Sequence, residues 1–116
     1  MTTVYGIPNC ASVKKARQWL DTQGVAHAFH DFKKQGVSRE LLERWIAATD
    51  LNQLLNRKGT TWRKLSAEQQ ALAEDQDGAI NLMQQYPSLI KRPVLECQQQ
   101  TLLGFDPTRY MELFDR

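Results

Sequence analysis

Residues 2–16 read Thr2-Thr3-Val4-Tyr5-Gly6-Ile7-Pro8-Asn9-Cys10-Ala11-Ser12-Val13-Lys14-Lys15-Ala16. A β-rich run ends at Gly6, a proline-containing turn follows, and helical spacing begins at Ser12, so a short strand passes into an amphipathic helix through a tight loop. Cys10 stands at that junction. A thiol there faces the N–H groups that the first helical turn leaves unpaired, and they favour thiolate over thiol. Lys14 and Lys15 follow within one turn and act in the same sense. Thiolate is the nucleophilic form, so the position reads as a reactive cysteine. The alternative is a small buried hydrophobe, a common fate of free Cys.

Outward from this junction, helical spacing runs from Ser12 to Thr22, with Val13, Ala16, Trp19 and Leu20 on one face and Gly24 as the stop. Ala26 to Phe32 reads as a second strand. Ser38 opens a helix with Leu41, Leu42, Trp45 and Ile46 as its apolar stripe. A short helical segment, Asn52 to Asn56, leads into the basic loop Arg57-Lys58-Gly59. Ser66 with Gln69 has the form of a capping box, and Asp77 to Tyr86 is a further helix stopped by Pro87. Pro93 to Cys97 and Thr101 to Phe105 read as a hairpin joined by the glutamines. Asp106-Pro107 then starts a terminal helix facing inward through Tyr110, Leu113 and Phe114. Strand, helix, strand at the start fits a right-handed βαβ unit, and the end fits ββα. Joined in one sheet they make a single α/β domain over residues 1–116, a four-stranded mixed sheet of thioredoxin type with a helical insertion at about 38–86.

Composition narrows the function class. The chain has 116 residues, enough for one core without staples, and a formal charge of +2 spread over interleaved cations and anions. That balance gives no nucleic-acid footprint. No apolar run reaches the length of a membrane span and no charged-then-apolar leader precedes the first strand, so a cytoplasmic protein is expected. Two cysteines in that compartment argue for thiol chemistry or burial, not a disulfide scaffold. His27 and His30 lack ligand spacing to any Cys or carboxylate, so no metal site is expected. The Arg92-Pro93 bond, just before the third strand, is either a cis peptide or an ordinary trans edge proline.

Four motifs in order, Gly6-Ile7-Pro8-Asn9-Cys10, Leu55-Asn56-Arg57-Lys58-Gly59, Ile90-Lys91-Arg92-Pro93-Val94 and Leu103-Gly104-Phe105-Asp106-Pro107, give the chain a resemblance to the arsenate-reductase-like family over essentially its whole length. It looks closest to the YffB-type branch and is also similar to the transcriptional regulator Spx. The resemblance implies a thioredoxin-like fold with a helical insertion and a cis-proline at Pro93. It implies that the loop cysteine, here Cys10, is the nucleophile and that arginines, here Arg57 and Arg92, hold an oxyanion. It also implies that glutathione or glutaredoxin resolves the adduct as co-substrate, with no bound cofactor.

Three positions depart from the family pattern. The reductases carry a third arginine in the last strand, where Thr101-Leu102-Leu103 has none, and a histidine where this chain has Gly6. Losing one of three charge-assisted contacts removes about 1.5–3 kcal/mol of anion binding, so arsenate is expected to be a poor substrate. Val13 stands where Spx has the second cysteine of Cys-x-x-Cys, so that internal redox switch is absent. The expected function is a glutathione-coupled thiol/disulfide reductase using Cys10, with Arg57, Arg92 and Lys14 binding the anion or glutathione. The alternatives are a weak glutaredoxin-dependent arsenate reductase and an Spx-like protein-binding module that docks on RNA polymerase or another partner without turnover. The alternative for each arginine is a surface or ion-paired residue, and for Lys14 a solvated helix residue. Cys97, on a half-buried strand, reads as a core thiol rather than a resolving one. Trp62 either lines a ligand groove or packs the insertion.

Overall fold

A computed structural model describes residues 1–115. Along the chain run β1 (Thr3–Gly6), α1 (Ala11–Thr22), β2 (Ala28–Asp31), α2 (Phe32–Gln35), α3 (Arg39–Ala48), α4 (Leu51–Leu54), α5 (Thr60–Lys64), α6 (Ala67–Leu72), α7 (Gln76–Gln85), a 3₁₀ turn (Pro87–Leu89), β3 (Val94–Cys97), β4 (Gln100–Leu103) and α8 (Pro107–Phe114). They form two compact units. Met1–Asp31 and the chain from Arg92 onward make the first, and Phe32–Lys91 the second.

The first unit is a four-stranded mixed sheet in the order β2-β1-β3-β4. β1 runs parallel to β2 and antiparallel to β3, and β3 is antiparallel to β4. Register explains its core. Phe29, Val4, Leu95 and Leu102 are cross-strand partners in one row across all four strands, so strand alternation sends all four to the same face. Ala16 and Leu20 of α1 and Tyr110 of α8 close over that row. Trp19 and Phe105 each meet the Tyr110 ring edge-on, at 5.5 and 5.0 Å between centroids. The next row, His30-Tyr5-Val94, lies on the opposite face.

Helix α1 ends in a Schellman motif: Gly24 takes φ +69° and the Val25 N–H returns to the Leu20 carbonyl at 2.9 Å, as the glycine stop predicts. The hairpin between β3 and β4 turns on two residues, Gln98 and Gln99, both with positive φ. That is the pattern of a type I′ turn, which normally favours Asn-Gly. Helix α8 starts with Asp106 accepting from the Thr108 N–H and Pro107 in its first turn.

The second unit is helical throughout, with the Leu55–Ile90 bridge its one strand-like pairing among the described residues. Leu42 and Trp45 of α3 and Ala79, Ile80, Leu82 and Met83 of α7 are buried. Ser38 caps α3, and Ser66 with Gln69 forms the expected capping box at α6. The unit reaches beyond 38–86 because α2 precedes Ser38 and because the Lys91 N–H is tied to the Leu54 carbonyl at 2.7 Å. The second strand is shorter than Ala26–Phe32, since Phe32 already begins α2. Helix α5 occupies a stretch whose five residues are too few to show helical periodicity.

Candidate active site

The loop from β1 to α1 is fixed from both ends. Pro8 and Asn9 sit at the centre of a turn closed by the Cys10 N–H donating to the Ile7 carbonyl at 3.2 Å. Gly6 has no room for a side chain, because a Cβ there would lie 2.6 Å from Val13 Cγ2, the inward residue of the first turn of α1. Strand end and helix start therefore touch, and Cys10 is held at the N-cap of α1 with extended backbone, φ −88° and ψ 128°. Its carbonyl accepts the first helical bond, from the Lys14 N–H at 3.0 Å.

Cys10 is part-exposed, as a nucleophile must be. Burial pushes its thiol up, but the Val13 N–H, the Arg92 guanidinium and the Ser12 N–H outweigh it, so the net effect holds Cys10 below the ordinary thiol value. Val13 and Ser12 are the third and second residues of the helix, the two whose N–H groups an N-cap side chain faces. No full hydrogen bond closes between them and the sulfur, so they act as aligned dipoles.

Arg92 reaches this thiol from the start of β3. The Arg92-Pro93 bond is cis, and the Pro93 carbonyl is tied by the Gly104 N–H at 2.9 Å. Of the cations named from sequence, Arg92 is the one among the groups that shift Cys10. Lys14 is not among them. Its side chain is exposed on α1. Arg57 belongs to the second unit, where its Nη1 donates to Asn52 Oδ1 at 3.0 Å and its guanidinium lies 5.5 Å from the centre of the Trp62 ring. Trp62 thus borders a cavity with Arg57, Gln70 and Glu74.

Cys97 lies at the opposite end of the sheet. It is 6% exposed, and its sulfur accepts from the Thr2 hydroxyl at 3.1 Å. From Thr2 to Gly6, the end of β1 that leads to Cys10, four strand steps span about 13 Å. That separation rules out a Cys10–Cys97 disulfide without a large backbone movement. Leu102 fills the core row, so nothing cationic stands at that point of the last strand.

Sequence reading missed the specific donors. Placing the helix start at Ser12 rather than Ala11 hides the fact that Cys10 is the N-cap and Val13 its third residue. The Gly6–Val13 contact had a signal too, a glycine closing a strand before an inward-facing helical valine.

The site thus sets a cysteine in a strand-to-helix loop against an arginine just before a cis-proline. The ArsC family model covers residues 5–113. The chain belongs to the ArsC family. The structure of a YffB protein is 49% identical, with TM-score 0.92 over 97% of each chain. An arsenate reductase (ArsC) related protein from Brucella melitensis is 43% identical, with TM-score 0.74 over 99% of this chain and 95% of that one. The global transcriptional regulator Spx of Streptococcus pneumoniae is 24% identical over 108 residues, 91% of this chain and 80% of Spx. The α/β sheet is thus the thioredoxin-like fold of this family, with arsenate-reductase-like and YffB proteins as its structural neighbours.

Proposed function

We propose that this ArsC-family protein is a glutathione-coupled thiol–disulfide reductase with Cys10 as its nucleophile. The observation that carries the reading is the lowered Cys10 thiol at the α1 N-cap, facing the Val13 and Ser12 N–H groups and the Arg92 guanidinium. The Cys10 thiolate attacks the glutathione sulfur of a mixed disulfide. A Cys10–glutathione disulfide forms, the original S–S bond breaks, and the other thiol leaves and takes up a proton. A second glutathione thiolate then attacks that disulfide, releasing oxidised glutathione and regenerating the Cys10 thiolate. The net exchange turns the mixed disulfide and one glutathione thiol into the free thiol and glutathione disulfide, so one disulfide bond is broken and one formed. Arg92 stabilises the attacking thiolate, and its planar fork suits a glutathione carboxylate. Dependence on glutathione or glutaredoxin fits a reducing cytoplasm.

Similarity to Spx across most of the chain favours a second reading, a module that binds a protein partner such as RNA polymerase without turnover. Turnover of a glutathione mixed disulfide decides between them. The wild type is expected to reduce it with glutathione as electron donor, and Cys10→Ser to fall to the uncatalysed background with its fold intact. Equal rates for the two proteins would remove Cys10 from the mechanism, and no turnover by either would favour the binding module.

A further inference from the structure

β4 is an edge strand, last in the order β2-β1-β3-β4. Which of its backbone groups stay free follows from the hairpin ladder. Antiparallel partners alternate between pairs that exchange hydrogen bonds and pairs that do not. The Gly104 N–H reaches the Pro93 carbonyl at 2.9 Å, so Gly104 turns toward β3. Counting back along β4, Leu102 and Gln100 also turn toward β3, while Leu103 and Thr101 point their N–H and C=O groups outward. Nothing among the described residues hydrogen-bonds to those outward groups. Edge strands are commonly blunted by a lysine, a proline, a bulge or an inward charge. Gln100-Thr101-Leu102-Leu103 has none of these, and its register with β3 is unbroken.

The apolar row across the sheet also stops at this strand. Val4 and Leu95 have partners on both sides, whereas Leu102 has one on β3 alone. Beside it lies a cavity of about 320 Å³ lined by Gln100, Leu102, Arg109, Glu112 and Leu113. Arg109 and Glu112 are three residues apart and share a face of α8. Both are exposed, and neither has an ion-pair partner among the described residues. The chain turns at Gly104–Asp106 and α8 lays Tyr110 over the row that holds Leu102. Helix α8 therefore runs back over the sheet, with Arg109 nearer the Leu103 end of β4 and Glu112 nearer the Gln100 end.

We propose that the β4 edge joins two copies of this chain in an antiparallel, two-fold dimer centred on Leu102. Thr101 of one copy exchanges both backbone hydrogen bonds with Leu103 of the other, and Leu103 with Thr101, so every outward group finds a partner. The two Leu102 side chains meet at the axis and carry the apolar row from one sheet into the next. Antiparallel strands set the Leu103 end of each copy against the Thr101 end of the other, so Arg109 of each faces Glu112 of the other. That charge pattern singles out a second copy as the occupant. One cation and one anion at opposite ends of an otherwise neutral edge are self-complementary under a two-fold axis. The surface lies within the first unit and uses neither Cys10 nor Arg92, so it stands or falls apart from the reductase reading.

The test is sedimentation velocity of the full chain over a concentration series. The wild type is expected to pass from monomer to dimer as concentration rises. Arg109→Glu sets carboxylate against carboxylate on both sides of the axis and should weaken the dimer at least about tenfold. Arg109→Glu with Glu112→Arg exchanges the charges and should restore it. Both positions are exposed, so neither variant disturbs the core. Thr101→Pro removes an outward N–H while sparing the bonds to β3, and it should abolish the dimer. A wild type that stays monomeric at every concentration would overturn the proposal and leave the edge to an extended segment of another protein. A dimer that survives Thr101→Pro, one indifferent to Arg109→Glu, or one that the charge exchange fails to restore would overturn it equally.

Discussion

Cys10 and Cys97 carry the same thiol at opposite ends of one sheet, and almost everything that matters for reactivity differs between them. Cys10 follows β1 into a loop, caps a twelve-residue helix and is opposed by Arg92. Cys97 ends β3, is nearly sealed from solvent, and has a neutral hydroxyl, that of Thr2, on its sulfur. Residue type does not separate the two. Position on the sheet does, because the βα junction supplies aligned N–H dipoles and solvent access, whereas a paired strand end supplies neither.

The largest expected effect comes from the glycine that holds the reactive end together. Gly6→Ala forces a Cβ to 2.6 Å from Val13 Cγ2, so the β-branched Val13 side chain must shift and presses on the first turn of α1 that carries it. Overpacking of this kind destabilises by about 1–3 kcal/mol. Chemical denaturation should show that loss, and Cys10 alkylation should slow as the Val13 and Ser12 N–H groups shift away. Unchanged stability would mean that strand end and helix start are not locked together.

A smaller change tests Arg92 by geometry rather than charge. Arg92→Lys keeps the cation but loses the planar fork, and formation of the Cys10–glutathione adduct should weaken about tenfold, the worth of roughly one charge-assisted hydrogen bond. Mass spectrometry of adduct against glutathione disulfide concentration measures it. An unchanged midpoint would reduce Arg92 to a point charge.

The smallest effect is expected at the other thiol. Cys97→Ala should leave turnover within a few-fold of wild type and lower stability by about 1 kcal/mol, as a buried sulfur and its Thr2 hydrogen bond are removed. Loss of activity comparable to Cys10→Ser would show that Cys97 takes part in the chemistry.

Much of this contrast is legible in the sequence. Val4, Phe29, Leu95 and Leu102 sit in alternating strands, Gly24 marks a helix end, and Pro93 before Val94-Leu95 marks a strand start, so the mixed sheet follows from local pattern. The position of Cys10 at a strand-to-helix loop follows in the same way. Which cation serves it does not. Lys14 is near in sequence and exposed on the helix, whereas Arg92 is distant in sequence and is brought in by the pairing of β3 with β1. Short elements are equally hidden. Helix α5 is too brief to show a period, and the Gln98-Gln99 turn uses left-handed backbone at residues that give no signal for it.

The depressed Cys10 thiol is the centre of the account, and its sign is testable. Thiolate forms as pH rises through the Cys10 pKa, so a lowered value moves the onset of alkylation to lower pH. The same linkage makes the charged site contribute stability above the unfolded thiol value, which is lost as pH falls through the folded one. The direct measurement is the rate of iodoacetamide alkylation against pH in Cys97→Ala, where Cys10 is the only thiol, with Arg92→Gln added in a second series. The midpoint should lie below that of an unperturbed cysteine thiol and move upward when Arg92 is neutralised. A midpoint at or above that value, or one indifferent to Arg92→Gln, would contradict the assignment of Cys10 as a thiolate nucleophile activated by the α1 N-terminus and Arg92.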